Sequence, residues 1–246
     1  MRDIALITMS SIKNNLRSRM VAGVAFGVVI ICAIGMTAAL SLLLIAPAMK
    51  MPSPDKQHLE TYLSLILFAI NLLGLGVNLN AFAFQNLTRE KSRGIIQSLL
   101  ATPLNEKQIW FGKSLAIFLP GLMLGELLTM IALLTINYVF FVPQMGFIIN
   151  PWIIVSSFVA VPLMYLSLSL LVYLIGLTSK PANGNVISII FLPLIITLII
   201  NLVLRSGLNA GGWIFTLTNL GIAVGIGTIS LILQPRLTKE RIIMSN

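Results

Sequence analysis

TREKSRGIIQSLLATPLNEKQIWFGK, residues 88–113, is the only long polar interruption in a chain that is otherwise almost wholly apolar. It is also patterned, which a simple connector need not be. Ile95, Ile96, Leu99 and Leu100 fall at i, i+1, i+4 and i+5, so one side of a helix is apolar. Arg89, Arg93 and Gln97 repeat every four residues on the other side. Thr88 is placed to cap the start of that helix, and Pro103 forces Thr102 out of helical geometry and ends it. Asn105 offers a second cap, with Gln108 three residues on in capping-box position, so a new helix starts there and runs into the next apolar segment. The stretch reads as helix, sharp turn, helix, held at a membrane surface, a form suited to being pushed by something soluble.

Composition sets the class. Of 246 residues, 57% are hydrophobic and 9% charged, against about 25% charged in soluble domains. Only a membrane protein fits. The formal charge is +9, from 16 Lys and Arg against 7 Asp and Glu. In this class that balance reads as cationic loops against an anionic inner leaflet, not as a nucleic-acid surface. The one cysteine, Cys32, lies inside an apolar run; it can form no intrachain disulfide, and no Cys/His metal spacing exists.

A span needs about 20 apolar residues. Six stretches qualify: Met20–Ala46, Thr61–Phe84, Ser114–Phe141, Trp152–Leu177, Val186–Leu204 and Trp213–Leu233. The expected fold is an all-α membrane protein, one transmembrane domain over 1–246 with six transmembrane helices. Residues 1–19 precede the first span. Ile4, Ile7, Ile12 and Leu16 share a broad face there, which predicts a helix lying in the interface; a disordered basic leader is the alternative. The run Met20–Ala46 is too long for the apolar core of a signal peptide. Pro120, Pro162 and Pro193 interrupt three spans, where neighbouring helices or Ser/Thr side chains must take up the freed carbonyls.

Lys and Arg set the orientation. With the N-terminus inside, the inner side collects 13 of the 16: Arg2, Lys13, Arg17, Arg19, Arg89, Lys91, Arg93, Lys107, Lys113, Lys180, Arg236, Lys239 and Arg241. Lys50, Lys56 and Arg205 remain outside. Both termini and residues 88–113 are then expected in the cytoplasm.

Chemistry is sparse. Gly112-Lys113-Ser114 looks like the end of a phosphate-binding loop, but Lys107 stands where its first glycine belongs and no strand precedes it. No hydrolytic constellation is visible, so no catalytic residue, metal or cofactor is expected on this chain. Glu126 is the one ionisable group within a span; it is either functional or bonded to a neighbouring Asn or Thr as helix glue. Asn71, Gly74, Asn78 and Gln85 share a face of the second span, and either make a helix–helix contact or line a path. Glu126, Asn71 and Asn78 are therefore the candidate path residues. Gly23/Gly27, Gly121/Gly125 and Gly221/Gly225 are spaced for close helix packing or dimerisation.

Residues 88–113 resemble the cytoplasmic loop of type-2 ATP-binding-cassette (ABC) transporter permeases, the membrane subunits of ABC exporters. Glu90, Lys91 and Arg93 supply its charged start, followed by Gly94. Leu99, Leu100, Ala101, Thr102, Pro103 and Leu104 match its centre, and Gly112 and Lys113 close it. Ile95 stands where Thr is usual and Gln97 where Glu is usual, which removes any ion pair that glutamate would make. The local match covers about a tenth of the chain; the six spans, the loop's placement between the second and third, and the basic N-terminus agree along its length.

The resemblance implies a coupling helix. Two cytoplasmic ATPase subunits, with ATP and Mg on them, would dock on Arg89, Glu90, Lys91, Arg93, Gly94, Gln97, Pro103, Gly112 and Lys113. A second copy of the permease, or a paralogue, would complete a path in the plasma membrane of a prokaryote. The implied activity is export, and the apolar path faces suggest a lipophilic or amphiphilic cargo. The rival readings are an ion-coupled secondary transporter, which needs more midplane ionisable groups than Glu126, and a non-transporting membrane anchor or sensor.

Overall fold

The computed structural model describes residues 2–17, 19–51 and 55–245; within these, the side chains of residues 2, 16, 17, 19–22, 25, 78, 81–86, 181, 182, 185, 192, 200, 202 and 204–206 lie outside the description. The expectations for Leu16, Asn78, Gln85, Arg2, Arg17, Arg19 and Arg205 fall on those side chains.

The described residues form helices and connecting turns, with no strand among them. In chain order they are α1 (Arg2–Arg17), α2 (Arg19–Leu40, carried on by a π-turn at Ser41–Ile45 and a last turn Ala46–Met49), α3 (Lys56–Ser92), α4 (Ile95–Leu100), α5 (Glu106–Phe141), α6 (Pro151–Thr178), α7 (Pro181–Ser206), α8 (Trp213–Leu233) and α9 (Lys239–Met244). Among the described residues five stretches are long and apolar enough to cross a membrane: Phe26–Met49, Lys56–Val77, Glu106–Phe141, Pro151–Thr178 and Trp213–Arg236. The remaining expected span falls in α7, whose apolar run among the described residues is shorter, Val186–Ile199.

α3 and α6 are the inner helices, and the rest pack around them. α3 packs chiefly on α5, and also on α2, α7 and α6; α6 packs chiefly on α8. Where α3 crosses α5, the glycine spacing matters: a Cβ on Gly74 would stand 2.9 Å from the Gly125 Cα, and one on Gly125 would stand 2.6 Å from Asn71 Oδ1. The backbones touch there because neither carries a side chain. Gly23, Gly27, Gly221 and Gly225 face open space and make no such approach.

The ends of the bundle differ. At one end, Ser64 Oγ donates to the Ala210 carbonyl (2.7 Å) and Asn150 Nδ2 to Glu60 Oε2 (2.8 Å), fastening two loops to the start of α3. At the other end lie α1, α4, the turn between α6 and α7, and α9, with Lys13, Arg89, Lys91, Arg93, Lys107, Lys113, Lys180, Lys239 and Arg241.

One expectation needs correction. α3 does not stop at Phe84, and Thr88 caps nothing: the helix runs unbroken for 37 residues to Ser92. At 1.5 Å per residue that is about 55 Å, well beyond the roughly 30 Å of hydrocarbon. Residues 84–92 contain no helix breaker, and Leu87, buried against Gly176 of α6, continues the packed face. The stop comes from Gly94, at φ 68° in the left-handed region that favours glycine. α1 is helical as expected, and the face it buries is mixed: of the expected apolar row Ile7 is buried and Ile4 and Ile12 are half-buried, with Thr8, Ser11 and Asn15 buried beside them. It lies against the base of α5, where Thr8 Oγ1 donates to the Ile4 carbonyl at 2.8 Å and to the Gly112 carbonyl at 3.1 Å.

Candidate functional site

The polar elbow between α3 and α5 is built from both helices and closed by α6. Gly94 turns the chain out of α3, and six residues of α4 follow. Ile96 and Leu100 are buried in the core cluster at this end, with Leu99 and Leu104 packed against it. Arg89, Arg93, Gln97 and Pro103 are exposed. The capping box at Asn105 forms as the sequence predicts: Asn105 Oδ1 accepts from the Lys107 N–H, and the Asn105 N–H donates to Gln108 Oε1 at 3.1 Å. One turn on, Trp110 Nε1 donates to the Leu170 carbonyl of α6 at 2.8 Å and fixes the foot of α5.

Three residues expected to meet a partner are turned inward instead. Glu90 is 4% exposed, Lys91 5% and Lys113 7%. Lys113 Nζ of α5 donates to Glu90 Oε1 of α3, and Tyr173 OH of α6 donates to Glu90 Oε2 at 3.2 Å. A buried carboxylate with its own cation and a phenol is satisfied on both oxygens, and this clamp ties three long helices together at the elbow. Gly112, also expected at a partner surface, is buried under α1; a Cβ there would stand 3.0 Å from Ile7 Cγ2.

Lys91 takes a different set of partners. Its ammonium donates to the Ser179 carbonyl (2.7 Å), the Ser245 carbonyl (3.1 Å) and Ser245 Oγ (2.8 Å). It pins α9 and the α6–α7 turn onto the end of α3. Burial pushes its pKa down from 10.5 to about 8, because the acceptors are carbonyls and a hydroxyl and none is a carboxylate.

Of the candidate path residues, Asn71 and Glu126 come together. Asn71 Nδ2 donates to Glu126 Oε1 at 3.2 Å and to the Ser157 carbonyl at 2.6 Å. Asn71 is fully buried and Glu126 partly exposed; Asn78 lies outside the described side chains. The Ser157 carbonyl is available for a covalent reason. Ser156–Ala160 is a π-turn, in which the carbonyl of each residue looks to the N–H five residues on. For Ser157 that residue is Pro162, which has none. Asn71 fills the vacancy from α3. Asn219 Nδ2 of α8 reaches Ser156 Oγ of the same turn at 3.3 Å. This polar cluster joins α3, α5, α6 and α8 inside the bundle and fits the helix–helix contact reading of Asn71.

Sequence reasoning missed Tyr173, Ser179, Ser245, Trp110 and Ser157. Only Ser157 carried a signal, its place five residues before a proline. A scan of the chain against protein-family models, the curated proteins and the solved structures finds no match.

Proposed function

We propose that this chain is the permease subunit of an ATP-driven ABC transporter, an exporter of a lipophilic or amphiphilic substrate, driven by a separate cytoplasmic ATPase dimer that docks on α4. In this reading α7, 26 residues and about 39 Å long, is the sixth span. The positive-inside rule then puts the basic end of the bundle in the cytoplasm.

The observation that supports the reading is mechanical. α4 is a short helix held between two long ones, with its apolar side in the core and Arg89, Arg93, Gln97 and Pro103 on the surface beside it. Behind it the Glu90–Lys113–Tyr173 clamp joins the ends of α3, α5 and α6. A push on α4 is delivered to three helices at once, and not absorbed in a loose loop. The partner surface is accordingly narrower than the resemblance implies: Arg89 and Arg93 supply electrostatic steering, while Glu90, Lys91, Gly112 and Lys113 transmit. A second copy of the chain completes the path.

The test is co-expression with a candidate ABC ATPase and transport assayed in vesicles. Vanadate-sensitive transport is expected. Arg89→Glu with Arg93→Glu abolishes co-purification of the ATPase, and Pro103→Ala keeps the complex but lowers transport per ATP hydrolysed. Transport undiminished without any nucleotide-hydrolysing partner would refute the permease reading.

A further inference from the structure

At the basic end, where α6 turns into α7, the chain forms a pocket of about 290 Å³ lined by Thr178, Ser179, Lys180, Arg241, Met244 and Ser245. From this pocket we infer a binding site for the phosphate of an anionic phospholipid, held between Lys180 and Arg241. The site depends on membrane insertion alone and not on the permease reading.

Four observations converge on it. The first is charge. None of the lining residues is acidic, two are basic, Lys180 and Arg241, and both are exposed. A third basic group, Lys91, is bonded to two of the lining residues, its ammonium donating to Ser179 and Ser245. Glu240, next to Arg241 in the chain, is exposed on α9, and Glu90, next to Lys91, is already occupied by Lys113 and Tyr173.

The second is the helix end. α7 begins at Pro181, its cap residue Lys180 gives no side-chain hydrogen bond to the first turn, and its dipole turns a positive end toward the same turn. The third is depth. Thr178 closes the apolar stretch Pro151–Thr178, so Ser179 and Lys180 stand where that helix leaves the hydrocarbon. That is the level of lipid phosphates, and basic pockets between helices at this level bind such head groups.

The fourth is the shape of α9. Ile242 packs into the core, while Ile243 and Met244 are left outside, Met244 85% exposed at the rim of the pocket. Two adjacent apolar side chains next to two cations suit an amphiphile: phosphate on Lys180 and Arg241, glycerol and the first methylenes on Met244. A free anion would use the cations and leave Met244 and Ile243 in water. The Lys91 bonds hold this arrangement in place together with Ser245 Oγ, which donates to the Leu177 carbonyl at 2.8 Å.

The test uses the full-length protein purified in neutral detergent, with bound lipid read by native mass spectrometry against phosphatidylglycerol, phosphatidylcholine and inorganic phosphate. Phosphatidylglycerol is expected to bind more tightly than phosphatidylcholine by about thirtyfold, the scale of two basic residues at an anionic surface. Lys180→Gln with Arg241→Gln removes that preference. Lys13→Gln with Lys50→Gln, an equal loss of charge elsewhere on the exposed surface, keeps it. A preference retained by the first pair overturns the site. Inorganic phosphate competing as well as the lipid overturns the lipid assignment in favour of a free anion. Loss of a co-purified ATPase from the first pair, with lipid preference intact, overturns it in favour of a soluble partner.

Discussion

Glu90 and Glu126 sit on successive long helices and are treated in opposite ways. Glu90, outside the apolar part of α3, is almost completely buried and has a lysine on one oxygen and a phenol on the other. Glu126, in the middle of a span, is partly exposed and, among the described residues, receives a hydrogen bond only from the Asn71 amide. The first arrangement locks three helices through an ion pair and a phenol. The second pairs with no cation among the described residues and asks much less of its neighbours. A carboxylate's place in the membrane therefore says less about its role than the partners that the fold supplies.

The largest expected effect lies at the elbow. Lys113→Ala leaves Glu90 buried without a counter-charge and should cost about 3–5 kcal/mol of unfolding free energy in detergent. Glu90→Gln combined with Lys113→Met should restore most of it, because neither charge is then buried alone. If the single variant unfolds like the wild type, the clamp is not what joins the helices.

In the bundle interior, Asn71→Ala strands the Ser157 carbonyl and should cost about 1–3 kcal/mol. Glu126→Gln keeps an acceptor for Asn71 and should fall within about 1 kcal/mol of wild type. Equal losses from Lys113→Ala and Glu126→Gln in the same unfolding assay would erase the contrast between the two carboxylates.

The smallest effect is the pH dependence carried by Lys91. Its folded pKa, about 8, lies below its usual 10.5. Below pH 8 both folded and unfolded chains hold the proton, and the cost of burying the charge is fully present. Between about 8 and 10.5 the unfolded chain binds a proton the folded one has released, so stability rises with pH. Thermal unfolding across this window should show the rise in wild type and lose it in Lys91→Met.

Much of this was legible in the sequence. The last span, expected at Trp213–Leu233, is the helix found there, since apolar length alone decides it. The Asn105 capping box and the buried Ile96 and Leu100 also follow from local spacing. The end of α3 did not: Thr88 looks like a cap, but capping needs a break in the helix before it, and Leu87 finds its packing partner on α6 and carries the helix past. The candidate site was half legible. The exposed Arg89, Arg93, Gln97 and Pro103 could be read, while Glu90, Lys91 and Lys113 looked like three more surface charges.

What the sequence determined by itself is the class: an all-helical chain with apolar helices of membrane-spanning length, and Lys and Arg biased toward one set of connections. Periodicity, length and composition are local properties, and the bilayer reads them locally. Which charges face outward, which glycines touch and which carbonyl meets Asn71 were decided only by tertiary structure. Lys113 lies 23 residues from Glu90, and Tyr173 lies 83 from it. No local pattern encodes such separations, because they are set by how whole helices cross.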